Sequence, residues 1–162
     1  MPSVIRSIHP VSQPPGSNLC RAAVIAMIKG RHSPGVLNQV IAEAQARDVP
    51  MDSANRLDSL TGIPALASAF GLSHTRTGTD ILAGSELASR LVRRPVGLPG
   101  TLTAPPVGTP RHAVAIHGVT GDFSSASSST ALGVDPRGCA SINMSFFQLQ
   151  LQLQIEWIIW QA

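Results

Sequence analysis

Gln13-Pro-Pro-Gly-Ser-Asn-Leu-Cys20-Arg-Ala-Ala-Val-Ile-Ala-Met-Ile28 is a turn-forming loop that runs directly into an apolar, helix-like stretch. Pro14, Pro15 and Gly16 force a turn, Ser17 or Asn18 is placed to cap the orphan N–H groups that follow, and Gly30 ends the helix after Lys29. Cys20 therefore heads a helix. At a helix N-terminus, unpaired N–H groups and the positive end of the dipole both favour a thiolate, the nucleophilic form of cysteine. Elsewhere a free cysteine is more often a small buried hydrophobe, so residues further along the chain must decide between the two roles. Gln13 lies one tight loop upstream, where its amide, with the backbone N–H of Cys20, would form an oxyanion hole above the sulfur.

The segment Arg111-His112-Ala-Val-Ala-Ile-His117-Gly-Val-Thr-Gly-Asp122 alternates like a strand and carries two of the chain's five histidines. An offset of five puts His112 and His117 on opposite faces of a regular strand. His112, at the strand's entrance beside Thr109-Pro-Arg111, is the expected general base. His117, followed by Gly118, is expected to end the strand or face the other layer as a structural histidine. A polar hairpin from Gly121 to Thr130 leads to a second apolar run, Ala131 to Val134, closed by Asp135-Pro136. An antiparallel return would bring Asp135 to the His112 end of the partner strand, where a carboxylate accepts the second imidazole N–H and fixes the tautomer. Taken alone, Asp-Pro is simply a turn initiator.

In order, Gln13-Pro-Pro-Gly-Ser-Asn-Leu-Cys20-Arg-Ala-Ala, His112-Ala-Val and Val134-Asp135-Pro136 resemble the motifs of bacterial papain-like cysteine peptidases, the branch with plant-pathogen effector proteases, staphopains and double-glycine peptidases. The resemblance spans from about Ile8 to the final tryptophans. It implies a Cys20, His112, Asp135 triad with Gln13 in the oxyanion hole, and a cleft between a helical and a β lobe. Arg21 departs from the family, which usually has Trp or Gly after the nucleophile. A long cation is expected there at the mouth of the site, contacting substrate with Asn18 and Arg111.

The 162 residues suffice for one domain with its own core. Helical signals fill the first part: Cys20 to Lys29, Pro34 to Arg47 with Ser33 as cap, Ile63 to Phe70, and Asp80 to Arg93 closed by Pro95. After residue 95 the signals turn to β: Val96 to Leu98, His112 to Val119, Ala131 to Val134 and Ile155 to Trp160. Helices first and a mostly antiparallel sheet second define an α+β fold, divided as a helical lobe 1–95 and a β lobe 96–162. Phe146 to Gln154 stays open between an edge strand, from alternating leucines and glutamines, and a short helix capped by Ser145. The connector Pro99 to Pro110 is expected to border the cleft, and specificity to lie in loops around Arg21, His74 and that connector.

A net charge of +3 is only mildly basic, and Arg90, Arg93 and Arg94, without interleaved aromatics, are read as a solvated helix face rather than a nucleic-acid groove. No stretch is long and apolar enough to span a bilayer, and the N-terminus lacks a Sec signal. Cys20 and Cys139 are expected to stay reduced, and neither cysteines nor histidines have zinc-ligand spacing, so no metal or cofactor is expected. The expected function is a monomeric cysteine protease acting on a protein or peptide substrate. The same constellation also serves deamidation, transglutamination or acyl transfer, because the acyl-thioester does not dictate its second nucleophile; a non-catalytic binding module is the third reading. Likeness to effector proteases implies a bacterial protein carried by a specialised secretion system into the cytoplasm of a target cell, with a cognate immunity protein occluding the cleft if it is an antibacterial toxin.

Overall fold

The computed structural model describes residues 2–14, 19–50, 62–104 and 111–162. Among them are, in chain order, β1 (Ser3–Ile5), α1 (Cys20–Lys29), α2 (Val36–Ala46), α3 (Ile63–Ala69), β2 (Ser73–Arg76), α4 (Gly84–Arg90), β3 (Val96–Leu102), β4 (Arg111–Gly121), β5 (Ser129–Asp135), β6 (Ala140–Ser145), α5 (Phe146–Gln152), β7 (Leu153–Ile155) and β8 (Trp157–Trp160). The eight strands make one sheet in the order β2-β8-β3-β4-β5-β6, with β1 added to β4 and β7 to β3. Every strand pairing is antiparallel. The fold is α+β.

Cys20 to Ile28 are all buried, as an all-round apolar helix requires. α1 lies between the sheet and α2. The sheet accommodates it with small residues: Ala113 and Ala115 of β4 belong to the α1 core, whereas Val114 and Ile116 point into a second core on the opposite face. On β3, Gly97 leaves the room, since a Cβ there would stand 2.7 Å from Val24 Cγ1 and 3.0 Å from Ile28 Cδ1. α1 stops at Gly30, whose φ of 68° is left-handed. Arg94 Nε donates to the Ile28 carbonyl nearby, at 2.8 Å. The second core gathers Leu87 and Leu91 around α4 with Phe146, Leu149 and Leu153 around α5.

The division at residue 95 does not hold as drawn. The first 95 residues supply β1 and β2 to the sheet, and α5 comes from the later part. β1 and β2 are only three and four residues long, too short to carry a period. α2 starts at Val36 rather than Pro34, because Gly35 has a φ of 75° and Val36 N–H closes a turn onto the Ser33 carbonyl. α4 starts at Gly84 rather than Asp80, because the Gln150 side chain grips both the N–H and the C=O of Leu82 and holds it outside the helix. The open segment resolves as a helix followed by a strand. Ser145 Oγ accepts the Gln148 N–H at 3.1 Å, Leu149 is buried and Leu151 is exposed, which a strand could not arrange. The arginines are not one solvated face either: Arg90 lies 4.1 Å over the Trp160 ring, and Arg94 serves α1. No helix among the described residues is long and apolar enough to cross a membrane.

Candidate active site

Cys20 is the first residue of α1, preceded by Leu19, which gives no side-chain cap; Ser17 and Asn18 lie outside the described residues. His112 is the second residue of β4 and Asp135 the last of β5. The register Ala115↔Val134 lays the end of β5 beside the start of β4. Across that seam His112 Nε2 lies 2.9 Å from Asp135 Oδ1, with the imidazole 4% exposed. The Cys20 side chain is the second group that acts on the ring. The structure thus brings Cys20, His112 and Asp135 together from one helix and two strands.

Burial by itself would lower the His112 pKa. Hydrogen bonds to Asp135 and Cys20, and the charges of both, outweigh it and raise the pKa to about 9. For Asp135, burial pushes upward, but His112 and Arg137 prevail and hold the carboxyl at about 2. At neutral pH the pair is an imidazolium against a carboxylate.

Gln13 sits against the same corner. Its backbone N–H donates to the Pro136 carbonyl at 2.9 Å, it forms a parallel bridge with Arg137, and it is 9% exposed. Arg137 was not among the residues singled out by sequence, yet its guanidinium Nη2 lies 3.0 Å from Asp135 Oδ2 and its backbone N–H donates to Oδ1 at 2.9 Å. The one available signal was the turn itself, since an Asx-turn bonds the aspartate to the N–H two residues on. Beside the head of α1, a pocket of about 290 Å³ is walled mainly by Val11, Pro14, Leu19, Val36 and Leu37.

Other expected site residues fall differently. Arg21 does not project at a mouth: it is 6% exposed and engaged, because α1 is enclosed on all sides. Arg111 is half-buried at the start of β4, opposite Thr101. His74 belongs to β2 at the far edge of the sheet, with β8 and β3 between it and β4, and stands edge-on to Trp157. Pro99 to Leu102 are strand rather than connector; 105–110 lie outside the described residues. His117 does not end its strand, which runs on to Gly121. It sits where the β4/β5 register shifts, its Nδ1 3.1 Å from the Arg6 carbonyl oxygen. Cys20 and Cys139 are both free thiols. Among the described residues no three His, Cys, Asp or Glu side chains gather to hold a metal ion.

No family model and no curated protein matches the chain.

Proposed function

We infer that this protein is a thiol hydrolase of the papain-like type, cleaving amide bonds in protein substrates. The observation that carries the reading is the hydrogen bond between the His112 imidazole and the Asp135 carboxylate, with the Cys20 side chain acting on the same ring from the head of a helix. In this reading Cys20 Sγ attacks the substrate carbonyl carbon, and the oxyanion is received by the Cys20 N–H and the Gln13 amide. His112 gives its proton to the departing amine as the C–N bond breaks, leaving an acyl-thioester. His112 then takes a proton from water, whose oxygen attacks the thioester, and the sulfur released as thiolate beside the imidazolium restores the starting pair. Asp135 orients the ring and stabilises its charged form. The pocket beside α1, lined by Val11, Pro14, Leu19, Val36 and Leu37 with Ser12 and Asn38, suits a largely apolar side chain of the substrate.

A second nucleophile in place of water turns the same acyl-thioester toward transfer, and a glutamine side-chain amide as substrate turns hydrolysis into deamidation. Delivery of the protein into a target cell, and a partner that occludes the site, belong to the effector reading and rest on motif likeness alone.

The test compares wild type with Cys20→Ala in the proteome of expressing cells. New C-termini that vanish in Cys20→Ala support proteolysis, a +1 Da change marks deamidation, and no difference sinks the reading. Iodoacetamide should label Cys20 before Cys139. Cys139 is the more exposed thiol, so exposure alone gives the reverse order.

A further inference from the structure

We propose that Arg137 is a positioning residue, whose guanidinium locks the rotation of the Asp135 carboxylate so that one oxygen stays aimed at His112. The proposal rests on the triad reading of this site. Four donor groups converge on that carboxylate. Oδ1 receives His112 Nε2 and the Arg137 backbone N–H, both at 2.9 Å, while Oδ2 receives Arg137 Nη2 at 3.0 Å, with Nε at 3.4 Å from each oxygen. Held at Oδ1 alone, a carboxylate still pivots about its Cβ–Cγ bond; a planar fork reaching the second oxygen removes that freedom. The same short turn reaches the oxyanion side. Gln13 N–H and Ser12 Oγ both donate to the Pro136 carbonyl, at 2.9 and 3.3 Å, and Gln13 bridges to Arg137. Pro136 and Arg137 therefore register the Gln13 segment against the carboxylate, linking two parts of the site that are far apart in sequence.

Among the described residues, Asp135 and Cys20 are the charged and titratable groups that act on His112, and His112 and Arg137 those that act on Asp135. Removing the guanidinium leaves the carboxylate charge in place and takes away its aim. The Arg137 side chain is 45% exposed, so its ion pair contributes little to global stability, and a local effect is separable from unfolding.

The experiment is an NMR titration of the His112 ring in the full chain, for wild type, Arg137→Ala and Arg137→Lys, with thermal unfolding of each. We expect the His112 midpoint in Arg137→Ala to fall by on the order of one pH unit, a tenfold loss of proton affinity, with little change in Tm. Arg137→Lys keeps the charge without the fork and should fall in between; it carries the test alone if the alanine variant does not fold. An unchanged midpoint overturns the proposal. So does a raised one, which would mean that the guanidinium only competes with the imidazolium for the carboxylate. Full rescue by lysine also overturns it, leaving charge rather than fork geometry as the cause. Because the titration needs no substrate, its outcome is independent of whether the protein cleaves anything.

Discussion

His112 gains a carboxylate and a sulfur partner on folding, so its proton is part of the stability of the protein as well as of its chemistry. A folded pKa near 9 against 6.5 unfolded means that this contribution is complete below about pH 6.5 and is lost as pH rises through about 9. Asp135 has the opposite sign: its contribution is present above about 3.8 and lost as pH falls through about 2. Urea midpoints measured from pH 6 to 10 should fall across that alkaline window in wild type, and the fall should flatten in Asp135→Asn. Under the proposed thiol-hydrolase reading, activity should decline through the same region as the imidazolium loses its proton. Gln13→Ala should lower turnover by about 10² or more, the usual effect of losing an oxyanion donor, while leaving the unfolding midpoint nearly unchanged; equal losses in both would assign Gln13 to folding instead. At this scale the sequence pointed to Cys20, His112 and Asp135 through helix position, strand entrance and hairpin return, all local rules. It missed Arg137, because the value of that residue lies in a fork closed around a carboxylate; it misplaced Arg21, because exposure depends on what packs over a residue, and His74, because strand order depends on pairing between distant segments.

α1 shows why element type was easier to read than element setting. Its ten residues follow from an apolar run ended by a left-handed glycine, but its seat depends on Gly97, Ala113 and Ala115, which come from two other strands. Gly97→Ala should destabilise the protein by about 1–3 kcal/mol through overpacking against Val24 and Ile28, measured by denaturant unfolding; a neutral result would show that the helix can slide away from β3. α5 is the reverse case. Leu149, Leu151 and Leu153 alternate as a strand would, yet the Ser145 cap and the Gln150 clamp on Leu82 set a helix. One clamp thereby decides two elements, extending α5 into the ambiguous tract and cutting α4 short. Propensity carries no trace of it, since the partners are 68 residues apart.

Taken whole, the protein has two cores on opposite faces of one sheet, and β4 supplies side chains to both. A shared central strand couples them, so Met27→Ala in one core and Phe146→Ala in the other, each about 2–5 kcal/mol, should move a single unfolding transition seen alike by circular dichroism and by the fluorescence of Trp157 and Trp160. Two separated transitions would show that the cores fold independently. The sequence by itself determined the α+β class, the helix headed by Cys20 and the strand ends that carry His112 and Asp135, because turns, caps and apolar period act within a few neighbours. Only the tertiary structure decided that β1 and β2 join the later strands, that α1 is wholly enclosed, and that Arg137 and Gln13 meet beside Asp135. Those outcomes depend on pairing and burial between distant segments, and the free energy of such contacts exists only once the chain has closed on itself.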